Sequence, residues 1–131
     1  MILGFLYWLL FAKENWPDLV PNNDLSAWNI SPVQLHAPKE PTPTLKYLVR
    51  RIRNALGHGA PKFRVPPGTT PEMMATAVTI TFNDVNPRDN SDTFEVELKL
   101  GDALHLAKML HETVLLDVAR RYQITPPLPT P

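Results

Sequence analysis

The fold turns on "TAVTITFNDVNPRDNSDTFEVELK", residues 76–99. Its two ends, "TAVTITF" (76–82) and "TFEVELK" (93–99), alternate β-branched or aromatic residues with polar ones, the period-two pattern of half-buried strands. Between them "NDVNPRDNSD" reads as a long polar turn. On this reading Val78, Ile80 and Phe82 share one face, and Phe94, Val96 and Leu98 share the facing one. Asp84, Asp89 and Asp92 fall in the turn and are expected to be solvated; their spacing does not match an EF-hand loop. An isolated hairpin is not stable in water, so its apolar face must lie against helices.

Two helices flank it. "TPTLKYLVRRIRNALGHG" (42–59) begins with threonines that can cap a helix and a proline suited to a first turn. Leu45, Leu48, Val49, Ile52 and Leu56 form one apolar stripe at helical spacing. Gly57 and Gly59 follow the stripe and suit a helix end. After the hairpin, residues 102–122 form the longest helix. Leu100, Leu104, Ala107, His111, Val114, Leu115 and Val118 lie on its apolar side, Leu106, Leu110 and Leu116 widen the apolar arc, and Arg120 and Arg121 suit the negative end of its dipole.

The remainder is less regular. "MILGFLYWLLFA" (1–12) is apolar throughout, well short of the roughly 20 residues of a membrane-spanning helix. It reads as a helix buried nearly all round; a membrane-associated segment or the start of a longer helix are the alternatives. Residues 15–44 form a proline-rich connection in which Trp16, Leu25, Trp28, Ile30 and Leu35 pack on the body, with a helical turn expected at 31–36. "APKFRVPPGTTPEM" (60–73) reads as a loop, and residues 123–131 as an extended tail. The expectation is one domain over residues 1–131: mainly α, a helical bundle with an inserted two-stranded hairpin.

The chain has 131 residues and a formal net charge of zero, yet its charge is uneven. From Pro41 to Pro71 there are six basic residues (Lys46, Arg50, Arg51, Arg53, Lys62 and Arg64) and no acid. The rest carries seven basic and thirteen acidic residues. A local basic block in a neutral chain implies a bound anion or a partner surface. The absence of cysteine excludes disulfides and thiolate zinc sites, and fits a reducing, cytoplasmic setting. His36, His105 and His111 make no metal-ligand spacing, and no phosphate-cradling glycine loop or nucleophile elbow is present.

Within the block, "RNALGHG" (53–59) holds Arg53, Asn54 and His58. Arg53 and His58 are five positions apart, about 140° around an ideal helix, so they do not share a face. Two arrangements bring them together: Gly57 ends the helix and His58 folds back, or two copies meet about a twofold axis. The plainer alternative is a solvated arginine and a helix-end histidine favoured by the dipole.

This Arg-polar-x-x-x-His segment, closing a helix and followed by a hairpin carrying "ITFNDVNP" and a long last helix, resembles the HEPN superfamily over residues 45–122. The resemblance implies a small helical domain, often a metal-independent endoribonuclease of toxin or phage-defence systems, acting as a homodimer. The first and last helices are the expected dimer interface. It implies catalytic roles for Arg53, Asn54 and His58 and RNA-phosphate contacts from Arg50, Lys62 and Arg64; Arg51 reads as peripheral. RNA is the expected substrate and an antitoxin or other regulatory protein an expected partner; no metal, cofactor or membrane is called for. Ala60 stands where many HEPN toxins carry a tyrosine modified by a nucleotidyltransferase. Two other functions stay open: a non-catalytic HEPN module binding RNA or a protein through the basic groove, and a structural interaction domain.

Overall fold

A computed structural model describes residues 19–122. The apolar segment 1–12, Trp16 and the tail from residue 123 lie outside the described residues. In chain order the elements are a 3-10 turn at Leu25–Trp28, strand β1 (Gln34–His36), helix α1 (Leu45–His58), strand β2 (Lys62–Arg64), a 3-10 turn at Pro71–Met73 running into helix α2 (Met74–Ala77), strands β3 (Thr79–Asn86) and β4 (Asp89–Lys99), and helix α3 (Leu100–Tyr122).

The hairpin forms, with its expected faces. Val78, Ile80, Phe82, Phe94, Val96 and Leu98 are each at most 2% exposed. Burying a side chain of this kind contributes about 1.5–3 kcal/mol. The strands run further than their apolar alternation, and the long polar tip contracts to a two-residue turn at Pro87 and Arg88, with Asn86 facing Asp89. Local bonds replace the open loop: the Asn86 side chain accepts from the Arg88 amide, and Asp89 accepts from the amide and hydroxyl of Ser91. At the other end β3 starts at Thr79, because Thr76 and Ala77 belong to α2.

The larger correction concerns architecture. The hairpin is the centre of a four-stranded antiparallel sheet in the order β1-β4-β3-β2. The protein is therefore an α/β fold, not a mainly helical bundle with an inserted two-stranded hairpin. Both edge strands lie in segments that read as irregular. The turn expected at residues 31–36 contains β1, which pairs Leu35 with Val96, and the loop at 60–73 contains β2, which pairs Phe63 with Ile80. Each is three residues long, too short for alternation to register, and prolines cluster around both, as suits sheet edges.

One sheet face is apolar and carries α1 and the first half of α3. Leu45, Leu48, Val49, Ile52 and Leu56 are all buried, so the predicted stripe is the true inner face of α1. Thr44 caps the helix by accepting from the Tyr47 amide. In α3 the buried side is set by Ala103, Leu106, Ala107 and Leu110; Leu104 and His111 turn outward. Gly101 allows α3 to start against α2, since a Cβ there would sit 3.1 Å from the Ala75 carbonyl oxygen. The 3-10 turn buries Leu25 and Trp28 and ends at Asn29 in the left-handed region (φ 57°). A ring nitrogen of His105 lies 2.9 Å from the Trp28 carbonyl oxygen, tying the turn to α3. The opposite sheet face is polar, with Thr79 donating to Glu97.

Candidate functional site

Helix α1 divides the basic block among three directions. Arg50, Arg53, Asn54 and Gly57 follow the i, i+3, i+4, i+7 rule and form its outward side. Arg50 and Gly57 are exposed, and Arg53 and Asn54 half-buried. The helix continues through Gly57 to His58, and Gly59 follows in extended conformation (φ 173°) with its amide bonded to the Ala55 carbonyl. Gly57 thus does not end the helix, and His58 does not fold back. Arg53 and His58 stay about 140° apart within one chain. Lys62 and Arg64 belong to β2, both exposed and opposite Thr81 and Thr79.

The arginine that shares a face with His58 is Arg51, seven positions earlier and about 20° away around the helix. It is the most changed of the sequence expectations. Instead of being peripheral, it is 5% exposed. It lies three residues after Leu48 and four before Ala55, on the inner flank of α1, against the far half of the hairpin. Its Nε is 2.7 Å from Asp84 Oδ2, and its Nη1 is 2.7 Å from Asp92 Oδ1. The Nε hydrogen is poorly aligned with its oxygen, so Asp84 holds that end by charge, while Nη1 donates a true hydrogen bond to Asp92. Nη2 donates to the backbone carbonyls of Asp84 and Asp92. The guanidinium also lies against a pair of rings packed edge to face, 5.7 Å from the centre of Tyr47 and 5.6 Å from that of Phe94.

Burial pulls the Arg51 pKa down, but the Asp92 hydrogen bond and the charges of Tyr47, Asp84 and Asp92 outweigh it and hold the value above normal. The same bond, with one from the Asn86 amide, holds the Asp92 carboxyl below the usual carboxylate range. Burial, first among several influences, pushes the Tyr47 phenol up.

Asp84 is not a solvated turn residue either, with a side chain only 3% exposed. Its two oxygens face different partners: Oδ2 meets Arg51, and Oδ1 lies 3.1 Å from His58 Nδ1. A carboxylate only accepts hydrogen bonds, so a hydrogen bond between the two requires a proton on His58 Nδ1. The His58 side chain is 56% exposed. Beside it is a cavity of about 380 Å³ at the point where the chain leaves α1 for β2, lined by His58, Lys62, Phe82, Asn83 and Glu95 among others.

Of the predicted site residues, then, His58 and Lys62 come together at one cavity. Arg50, Arg53 and Asn54 face outward from the helix, and Arg64 lies further along β2. Sequence reasoning missed Arg51, Asp84 and Asp92. The signal for the two aspartates is strand alternation carried one step past Phe82 and one step before Phe94, which turns both toward α1. Among the described residues no group of three His, Asp or Glu side chains could hold a metal ion, and no helix is long and apolar enough to cross a membrane.

The site joins the helix-end His58 to the buried Asp84 and leaves Arg53 on another side of the same helix; the Arg-x4-His segment itself resembles that of the HEPN superfamily. The chain belongs to that superfamily: the family model HEPN pEK499 p136 matches residues 1–120. No curated protein and no solved structure matches it.

Proposed function

We propose that this HEPN domain is a metal-independent endoribonuclease working as a homodimer. His58 carries the reading: its Nδ1 is anchored to Asp84 while the ring borders an open cavity. Nε2 is then free to take the proton of a ribose 2′-hydroxyl, whose oxygen attacks the adjacent phosphorus. The bond to the 5′-oxygen breaks, that oxygen takes a proton from a His58 imidazolium of the dyad, and a 2′,3′-cyclic phosphate remains. Arg53 of the second copy supplies the fixed, forked positive charge for the phosphorane. Asn54, beside it, hydrogen-bonds the phosphate. Arg50, Lys62 and Arg64 hold the flanking backbone. A toxin or phage-defence role, with a regulatory protein as partner, accords with this chemistry.

The separation of Arg53 from His58 on one continuous helix favours a second reading, a non-catalytic module that binds RNA or a protein through the same basic residues. Incubation with single-stranded RNA in EDTA distinguishes the two. The nuclease gives cyclic-phosphate ends, spares DNA, and loses activity in both Arg53→Ala and His58→Ala. Binding without cleavage supports the module, and cleavage that survives either substitution overturns the assignment.

A further inference from the structure

We infer that Asp84 is a positioning residue for His58, and that Arg51 and Asp92 exist to keep its carboxylate in place. Three observations converge. Asp84 is a buried acid on the helix-facing side of β3, where its neighbours Ile80 and Phe82 are core residues. Its Oδ1 and Oδ2 are divided between His58 and Arg51, so one carboxylate joins a structural cation to an exposed imidazole. Arg51 is in turn fixed from the other side by Asp92, which also accepts from Asn86. A carboxylate serving only to neutralise Arg51 would need no histidine within reach, and a histidine serving only as a helix cap would not sit against a buried acid.

The consequence is a fixed tautomer. Free imidazole divides its proton between two nitrogens, but an acceptor at Nδ1 holds the proton there and aims Nε2 outward. The same device orients metal-bound histidines, where losing the partner typically costs about 10–100-fold in affinity or activity. This role rests on His58 being the reactive group, yet its geometry can be tested without any reaction.

The test is a long-range proton–nitrogen NMR correlation of the His58 ring in alkaline buffer, where imidazole is neutral, on the wild-type chain and on Asp84→Asn. The wild type should show Nδ1 as the protonated nitrogen and Nε2 as the bare one, and Asp84→Asn should lose that preference. With RNA as substrate, Asp84→Asn should lower kcat about 10–100-fold and leave KM nearly unchanged. A wild-type ring protonated at Nε2, or a tautomer untouched by the substitution, overturns the inference. Should Asp84→Asn not fold, the wild-type spectrum alone decides. A chain with the fixed tautomer but no RNA cleavage keeps the positioning role and rejects the nuclease, so the two failures are distinguishable.

Discussion

Arg50 and Arg51 are neighbours in sequence and opposites in the structure. Arg50 is exposed on the outward side of α1, where Arg53 and Asn54 are half-buried. Arg51 is enclosed by two carboxylates, two carbonyls and two aromatic rings. A rotation of about 100° around the helix thus separates the side that carries Arg50 from a flank that clamps the helix to the hairpin. A run of arginines is not one basic patch; the helical phase decides which charges reach a partner and which are spent inside.

The sharpest way to break this contrast is to remove each charge. Arg51→Met leaves Asp84 buried without its cation and should destabilise the fold by about 3–5 kcal/mol in denaturant unfolding. Arg50→Met should stay within about 0.5 kcal/mol of the wild type. Equal effects would dissolve the distinction. A smaller effect sharpens it: pairing Arg51→Met with Asp84→Leu should cost less than the sum of the single changes by about 1–3 kcal/mol, because the two removals share one interaction.

Acid probes the same clamp. Arg51, followed by Asn86, depresses the Asp92 carboxyl, so the folded chain keeps that proton off more readily than the unfolded chain does. That stability is fully present above the unfolded carboxyl value, about 3.9, and is lost as the pH falls through the lower folded value. The melting temperature should therefore drop on acidification across that window, and less steeply in Asp92→Asn. The mildest effect belongs to the exposed face: Lys62→Gln should weaken RNA binding across sequences and reduce the salt slope by about 1, leaving the melting temperature unchanged.

Much of this was legible in the sequence. The stripe of α1, both inner faces of the hairpin and the presence of the last helix followed from periodicity, because each presents several repeats of its pattern; the inner face of the last helix was only partly read, since Leu104 and His111 turn outward. The edge strands did not, since three residues beside prolines carry almost no period and their pairing depends on β3 and β4. Nor did the clamp. Arg51, Asp84 and Asp92 each look solvent-bound in isolation, and burial becomes tolerable only when distant parts of the chain bring the three together. For the candidate site, His58 was found from its motif, whereas the carboxylate that orients it lies 26 residues away and had no motif to announce it.

In the proposed mechanism, RNA cleavage joins His58 of one copy to Arg53 of another across a pair of helices. Mixing the two inactive variants, Arg53→Ala and His58→Ala, under conditions that let subunits exchange tests it most directly. Mixed dimers then hold one intact composite site, and an equimolar mixture should recover about a quarter of wild-type activity. A mixture as inactive as its components, beside an active wild type, would contradict the shared site.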